Sequence, residues 1–231
     1  MTLGIMQPYF FPYIGYWQLI NSVDKFVLYD DVNYIKGGWI NRNRIRINGD
    51  IRFYNVPLVG ASPNKKINEI QINQNPVLLR KNIATLELAY KKAPYYNDAF
   101  PVIYRAINNN RQMLIDYLYY SICAICEYLD IHTEIILSSK LNKDNALKGQ
   151  DKVIDICKSL FADTYINAIG GQSLYSTEVF KEKGIDLKFI ETEFIQYNNE
   201  KYVPALSIID MMMYCDKDEL KQHLNSYKLI H

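Results

Sequence analysis

The first 23 residues contain no charged side chain, and this stretch constrains the fold more than any other. An uncharged apolar run of about 18 or more residues is a candidate transmembrane helix. Here, however, Pro8 and Pro12 interrupt the run, and each proline removes a helical hydrogen bond. No lysine or arginine precedes Lys25, and no small-residue cleavage site follows the run. We therefore expect neither membrane insertion nor a signal peptide, and we expect a cytoplasmic protein.

The same stretch is better interpreted as the start of a β-α-β unit. The pattern predicts a buried strand at Leu3–Met6, a proline-stiffened loop at Gln7–Tyr13, a short helix from Gly15 to Asn21 and a second strand at 25–31. Ligands of open α/β sheets bind outside the carboxyl ends of the strands. The loop and the pair Asp30-Asp31 are thus expected at the same edge of a sheet.

The last third of the chain alternates in the same way, with strands expected at 133–137, 164–169 and 186–191 and helices at 148–162 and 176–184. This order predicts a parallel sheet. We expect an α/β fold with a mostly parallel, Rossmann-like sheet that joins both ends of the chain. The hairpin and helices of the middle would be inserted in one domain, residues 1–231. Two separate lobes are the alternative.

The middle of the chain predicts a hairpin followed by helices. Asn48-Gly49 lies between two alternating runs, which is a strong hairpin signal. The segment KINEIQI (66–72) is a candidate third strand. Asn75-Pro76 is a good helix start, and it opens a helical insertion of about residues 75–130 that includes a long helix at 111–129.

The composition gives no support to several classes of function. A net charge of +1 gives no reason to expect nucleic acid as a partner. The four cysteines, two of them in a CxxC, lie in apolar segments and are expected to pack in the core. Three histidines with no paired motif predict neither a metal site nor histidine-centred catalysis.

The densest group of polar residues is YDDVNYIKGGWINRNRI, residues 29–45. Its carboxylates could accept protons or hold a cation, its arginines suit phosphate or carboxylate oxygens, and its tryptophan could cover a sugar or a base. The structural alternative is that Asp30 and Arg42 pair with each other on a solvated hairpin.

Two weaker candidates follow later strands. Gly170-Gly171 stands between a predicted strand and a helix, where backbone N–H groups can bind an anion. Ser138 and Lys140 follow the strand at 133–137, and their side chains suit phosphate. A simple tight turn would use the same glycines.

Four segments together resemble the WbqC-like protein family: QPYFFPYIGYWQLI, DKFVLYDDVNYIKGGWINRNRI, TYINAIGGQSLYSTEVFKEKGI and YVPALSIIDMMMY. The resemblance extends from residue 5 to about 215. It departs from the family pattern at Ala205, where asparagine is expected, and at Asp216, where glycine is expected. The family is associated with bacterial O-antigen and other surface-polysaccharide gene sets.

The resemblance implies a transferase that attaches an acyl or aminoacyl group to a nucleotide-linked amino sugar. Its partners would be that sugar nucleotide and an acyl donor, while the cofactor and the oligomeric state are left open. Asp30, Asp31 and Lys36 are the candidate catalytic residues. The candidate substrate-binding residues are Gln7, Tyr9, Tyr16, Trp39, Asn41, Arg42, Asn43, Ser138, Lys140, Gly170 and Gly171.

Two alternatives stay open. The first strand, proline-rich loop and helix also resemble HxGH nucleotidyltransferases, although Gly15-Tyr16 opens the helix without the signature histidines. This second reading predicts an adenylate-forming or nucleotidyltransferase enzyme. The third is a non-catalytic sugar-binding or scaffold protein.

Overall fold

The computed structural model describes residues 1–198 and 203–231. The strands of this part are β1 (Thr2–Met6), β2 (Lys25–Leu28), β3 (Arg42–Ile47), β4 (Asp50–Asn55), β5 (Leu58–Val59), β6 (Gln71–Ile72), β7 (Glu134–Leu137), β8 (Thr164–Ala168), β9 (Asp186–Thr192) and β10 (Tyr227–Ile230). The α-helices are α1 (Ile14–Asn21), α2 (Pro76–Tyr90), α3 (Tyr96–Ile107), α4 (Leu114–Tyr128), α5 (Gly149–Ser159), α6 (Thr177–Glu182), α7 (Ile208–Tyr214) and α8 (Lys217–Leu224).

The main sheet has six strands in the order β10-β9-β8-β1-β2-β7. All neighbours run parallel except β10, which pairs antiparallel with β9. Leu3 of β1 lies opposite Lys25 of β2 on one side and Tyr165 of β8 on the other. The predicted α/β class with a mostly parallel sheet is confirmed. The antiparallel edge makes the sheet mixed, which the sequence had not indicated.

Helices cover both faces of this sheet, because alternate strand residues point to opposite sides. Leu3, Ile5 and Val27 belong to one apolar cluster together with residues of α5 and α6. Phe26 and Leu28 belong to the other, together with residues of α1, α3, α4, α7 and α8. The strands are thus buried on both sides, which explains why they read as continuous apolar runs.

The hairpin and the helical block lie outside the main sheet, as expected for insertions. Strands β3 and β4 pair antiparallel through Asn48-Gly49, where Asn48 has φ 52° and Gly49 φ 85°. Asn75 caps α2 by accepting a hydrogen bond from the N–H of Val77 at 2.9 Å, and Pro76 occupies the first helical position. Both local predictions are therefore confirmed.

The predicted strand KINEIQI is wrong for most of its length. Ile67–Glu69 forms a 3-10 turn, and only Gln71–Ile72 is a strand, β6, which pairs with β5. Ile67 and Ile70 are both fully buried, and their spacing of three residues fits a helical turn rather than alternation. The helix predicted at 111–129 occupies Leu114–Tyr128.

Candidate functional site

The loop that follows β1, residues 7–13, is called here the N-terminal loop, and distant segments hold it in place. The N–H of Phe10 donates to the carbonyl of Trp39 at 3.0 Å. The side-chain amide of Asn43 donates to the carbonyls of Phe10 and Phe11 at 3.1 and 3.0 Å, and the hydroxyl of Ser207 donates to that of Phe11 at 2.8 Å. Phe11 has φ 41°, a costly left-handed conformation for an aromatic residue. These bonds stabilise that conformation.

A cavity of about 100 Å³ lies against this loop, and we call it the Trp39 cavity. It is lined by Tyr9, Pro12, Tyr13, Trp39, Asn43, Arg44 and Ala205. Three segments that are far apart in the sequence thus close around one space: the N-terminal loop, residues 39–44 and Ala205. Because the loop leaves the carboxyl end of β1, the cavity lies on the side of the sheet where α/β proteins bind ligands.

The cavity walls are aromatic, with polar groups at defined points. Trp39 is 38% exposed, which is unusual for so large a side chain beside a cavity. Burial raises the pKa of both Tyr9 and Tyr13. Their hydroxyls therefore stay protonated at neutral pH and can donate hydrogen bonds.

Arg44 is fixed beside Trp39. Its Nη2 donates to the carbonyls of Pro204 and Ala205 at 3.0 and 3.1 Å, and its guanidinium carbon lies 5.8 Å from the centre of the Trp39 ring. The Nε of Arg44 is buried, and no hydrogen-bond acceptor reaches it within the described residues. One N–H group of this guanidinium is therefore buried without an acceptor in the part of the chain that the structure describes.

Arg42, the arginine selected from the sequence, is engaged elsewhere. Its Nε donates to the carbonyl of Gly38 at 3.1 Å, its Nη2 donates to Gly37, and its guanidinium covers the ring of Phe53 at 4.1 Å. The guanidinium thus clamps the turn before β3. The alternative that Arg42 pairs with Asp30 is wrong, because Asp30 has other partners.

The asparagines of this segment position the backbone. Asn41 accepts from the hydroxyl of Tyr34 at 2.7 Å and donates to the carbonyl of Val56 at 3.0 Å. Asn43 holds the N-terminal loop, and its Oδ1 accepts from the N–H of Arg44 at 2.8 Å. Of the two, only Asn43 lines the Trp39 cavity.

Asp30 and Asp31 follow the end of β2 and are both buried. The Oδ1 of Asp30 accepts from the N–H of Ser139 at 2.8 Å, and its Oδ2 accepts from the amide of Asn68 at 3.3 Å. Ser139 is the second residue after β7, so this bond connects the carboxyl ends of the neighbouring strands β2 and β7.

Asp31 forms ion pairs with two lysines, Lys143 and Lys152, each with its Nζ 2.9 Å from the same Oδ2. Burial alone would raise the pKa of Asp31, but hydrogen bonds from Lys152 and Lys143 outweigh it and lower the pKa to about 2. Asp31 is thus a carboxylate at neutral pH and a weak proton acceptor. Its predicted catalytic role stays a prediction.

Three further candidate residues, Lys36, Gln7 and Tyr16, lie near β1 and β3. Lys36 is exposed, three residues before Trp39. Gln7 is half-buried, and its carbonyl accepts from the hydroxyl of Tyr16 at 3.0 Å. Tyr16 is buried, with its ring 5.5 Å from that of Tyr9, so it supports the cavity wall from behind.

Ser138 and Lys140 form a 3-10 turn after β7. Ser138 is fully buried and its carbonyl accepts from the Nζ of Lys143, whereas Lys140 is exposed. Neither residue lines the Trp39 cavity. Their predicted role in phosphate binding stays a prediction.

Gly170 and Gly171 lie within a 3-10 helix, Ile169–Leu174, directly after β8. A Cβ on Gly171 would stand 2.4 Å from Nδ2 of Asn167, so a larger residue here would have to displace that side chain. Because β8 neighbours β1, this turn lies at the same edge of the sheet as the N-terminal loop. A role in anion binding stays a prediction.

Three of the four cysteines pack in the core as expected, while Cys123 is half-buried. Cys126, Cys157 and Cys215 are buried, and burial raises the pKa of each to about 12. Cys123 and Cys126 lie inside α4 rather than at its start, where a reactive CxxC would stand. These thiols are therefore poor nucleophiles.

Residues 1–198 and 203–231 contain no group of three or more His, Cys, Asp or Glu side chains arranged to hold a metal ion. Within the same ranges, every helix is too short or too polar to cross a membrane.

Comparison with known proteins places the chain. The model of the WbqC-like protein family matches residues 7–222. The chain belongs to this family. It is also 27% identical to the uncharacterized protein Rv1507c of Mycobacterium tuberculosis over 220 residues, which cover 91% of this chain and 92% of that protein. No solved structure matches the chain.

In this WbqC-like protein, the match contains every residue that lines the Trp39 cavity. Ala205, where the resemblance leads us to expect asparagine, also lines this cavity. Ala205 has φ 54°, a left-handed conformation that asparagine adopts more readily than alanine. The left-handed backbone at this position would therefore explain a preference for asparagine.

Sequence reasoning missed several residues of this site. Arg44 was noticed in the polar segment but not selected, although it lies on the same face of β3 as Arg42. Lys143 and Lys152 lie more than 110 positions from Asp31 and carried no local signal. Tyr13 was read as part of the loop without a role.

Proposed function

We propose that this WbqC-like protein is a transferase that binds a nucleotide-linked amino sugar with its sugar in the Trp39 cavity. The reaction would transfer an acyl or aminoacyl group in the synthesis of a surface polysaccharide. The observation that carries the proposal is the closure of three distant segments around one aromatic-walled cavity at the carboxyl end of β1.

The chemistry of the cavity suits a sugar. Aromatic faces pack against the C–H groups of a pyranose ring, and a few fixed polar groups orient it. Trp39, Tyr9 and Tyr13 supply the faces, and Arg44 and the tyrosine hydroxyls supply donors. Such a mixture of apolar walls and convergent donors is typical of small-molecule sites.

The strand order supports a nucleotide beside this sugar. From one side of the sheet to the other, the five parallel strands are β7, β2, β1, β8 and β9. In chain order these are the third, second, first, fourth and fifth parallel strands. This is the doubly wound order, in which ligands bind where the order reverses. Here that point lies between the ends of β1 and β8, next to Gln7 and Gly170-Gly171.

The proposed chemical step joins two substrates. The amine nitrogen of the sugar would attack the acyl carbon of an activated acyl donor such as a thioester. An amide bond forms as the carbon–sulfur bond of the thioester breaks, and the thiolate that leaves takes up the proton lost by the amine. Among the candidate catalytic residues, Lys36 is open to solvent, whereas Asp30 is buried and hydrogen-bonded and Asp31 is buried and ion-paired. We assign the two aspartates to positioning this edge of the sheet.

Binding is tested first by calorimetry with UDP- and dTDP-linked amino sugars. The wild-type protein should bind at least one of them, and Trp39→Ala should weaken that binding at least about tenfold, because stacking on the ring is lost. Phe161→Ala is the matched control, since Phe161 is 88% exposed in the turn before β8, at the opposite edge of the sheet. If Trp39→Ala and Phe161→Ala bind as the wild type does, the sugar does not lie in this cavity.

A nucleotidyltransferase of the HxGH type is the second candidate, and the same strand order favours it. Its ligand would lie at the start of α1, beside Gly15. Stabilisation of the protein by ATP and magnesium alone, without any response to sugar nucleotides, would favour this candidate. Sugar binding without turnover of any acyl donor would favour a non-catalytic sugar-binding protein.

A further inference from the structure

We infer that Arg44 recognises an anionic group, a carboxylate or a phosphate, on the ligand of the Trp39 cavity. The inference deepens the proposed function and rests on it for the identity of the ligand. It assigns a recognition role to an arginine whose neighbour on the same strand face, Arg42, is used to hold a turn.

The guanidinium of Arg44 is already in position before a ligand binds. Two carbonyls, of Pro204 and Ala205, hold its Nη2 from one side. Its backbone is fixed as well, because its N–H donates to Asn43 Oδ1 and its carbonyl accepts from the N–H of Ser207 at 2.9 Å. Binding of a ligand would therefore cost little conformational entropy at the Arg44 side chain.

The positive charge of Arg44 lacks a carboxylate partner within the described residues. Other arginines have one: Arg52 pairs with Asp50 at 3.1 Å and Arg105 with Glu127 at 3.3 Å. The buried Nε of Arg44 also lacks an acceptor in this part of the chain. Because Arg44 borders the cavity, an anionic group on a bound ligand would compensate its charge.

The location of the guanidinium specifies the kind of ligand. It lies beside the Trp39 ring and borders the cavity together with Tyr9 and Tyr13. A ring stacked on Trp39 would thus present a substituent to the arginine. Two ligand groups fit this arrangement: a carboxylate on the sugar ring, or the phosphate that links the sugar to a nucleotide.

The test compares anionic and neutral probes by calorimetry. The probes are UDP-N-acetylglucosamine, UDP, glucuronate, inorganic pyrophosphate and the uncharged methyl glycoside of N-acetylglucosamine. We expect Arg44→Gln to lose about tenfold or more in affinity for the anionic probes and to bind the neutral glycoside as the wild type does. Arg44→Lys should recover part of the loss, because it keeps the charge but not the planar fork.

The matched control is Arg52→Gln, which removes an exposed arginine from the neighbouring strand of the same hairpin and should leave every affinity unchanged. If Arg44→Gln loses affinity for glucuronate but not for pyrophosphate, the recognised group is a carboxylate. If it loses affinity for pyrophosphate but not for glucuronate, the recognised group is a phosphate. The inference is overturned if Arg44→Gln binds the anions as the wild type does, if it loses the neutral glycoside equally, or if the wild type binds no anion. If simple anions bind through Arg44 while no sugar nucleotide binds, the proposed function fails and the inference stands.

Discussion

At the scale of single residues, the carboxylate of Asp31 joins three parts of the fold. It follows β2, and its two lysines come from the segment after β7 and from α5. The side chains of both lysines are almost completely buried, with 1% and 6% exposure. Removing one partner of such a cluster leaves buried charge uncompensated, which is more costly than losing a surface ion pair.

Replacing Asp31 by asparagine should therefore lower the free energy of unfolding at pH 7 by about 3 kcal/mol or more. Because the pKa of Asp31 is lowered to about 2 in the folded state, its charge contributes stability above the unfolded pKa of about 4. This contribution is lost as the pH falls through about 2. Urea unfolding at pH 7, 4 and 3 measures the free energy of unfolding of both proteins. The difference between wild type and Asp31→Asn should become smaller as the pH falls.

Asp50→Asn is the control for this measurement, since Asp50 pairs with Arg52 at the surface and its side chain is 70% exposed. Its effect should be within about 0.5 kcal/mol at each pH. A gap between wild type and Asp31→Asn that stays constant from pH 7 to pH 3 would contradict the lowered pKa.

Ala205 carries a backbone cost that a different side chain would reduce. Its φ of 54° is disfavoured for alanine, while asparagine tolerates this region. We expect Ala205→Asn to raise the free energy of unfolding by about 0.5 to 1 kcal/mol and Tm by about 2 °C. Thermal unfolding measures this, with Ala146→Asn, at an exposed position outside the left-handed region, as the control. If the change in Tm for Ala205→Asn is no larger than that for Ala146→Asn, or is negative, the left-handed conformation costs this chain little.

Residue-level predictability was uneven, and the reason is physical. The types of residue around the site, aromatic rings with arginines and asparagines, could be read from the sequence. Which arginine remained available could not, because Arg42 and Arg44 share a strand face and differ only in which carbonyl groups lie near them. Those carbonyls belong to Gly37, Gly38, Pro204 and Ala205, and the last two lie 160 residues away.

At the scale of elements, the N-terminal loop is rigid because other segments bind its carbonyls. Asn43 supplies two of these bonds from the start of β3, and Ser207 supplies one from the start of α7. Proline and aromatic residues shape the loop, but the backbone of Phe11 needs the external donors to keep its left-handed conformation.

Asn43→Asp tests this clamp with almost no change in side-chain volume. A carboxylate cannot donate to the two carbonyls and would face them with negative charge, so we expect a loss of about 3 kcal/mol in stability. Sugar-nucleotide affinity should fall with it, because the loop forms the cavity wall. Asn64→Asp, at an exposed position, is the control for the charge change. Unchanged stability of Asn43→Asp would mean that the loop holds its shape without these bonds.

Elements with strong local signals were predicted well. The hairpin at Asn48-Gly49 and the cap at Asn75 depend only on neighbouring residues. The segment KINEIQI failed because its isoleucines satisfy both an alternating and a helical spacing over so short a run. Glu69, which accepts from the N–H of Lys66 at 2.7 Å, decides for the turn.

At the scale of the whole molecule, the sequence predicted that both ends of the chain share one sheet. Buried strands read as apolar runs, and the alternation of strands and helices implies parallel pairing. The position of β10 carried no such signal, since two of its four residues are exposed, the other two are half-buried, and the strand follows a charged helix. Hydrogen bonding to β9 places it at the edge.

The bond from Ser207 to Phe11 has a consequence for synthesis on the ribosome. It joins positions 196 residues apart. The bonds from Arg44 to the carbonyls of Pro204 and Ala205 also connect distant parts of the chain. Contacts between such distant positions form late, because a long loop must close first. A nascent chain that ends before residue 204 can build strands and helices but lacks the last wall of the Trp39 cavity. The Trp39 cavity is thus complete only after Ala205 has emerged from the ribosome.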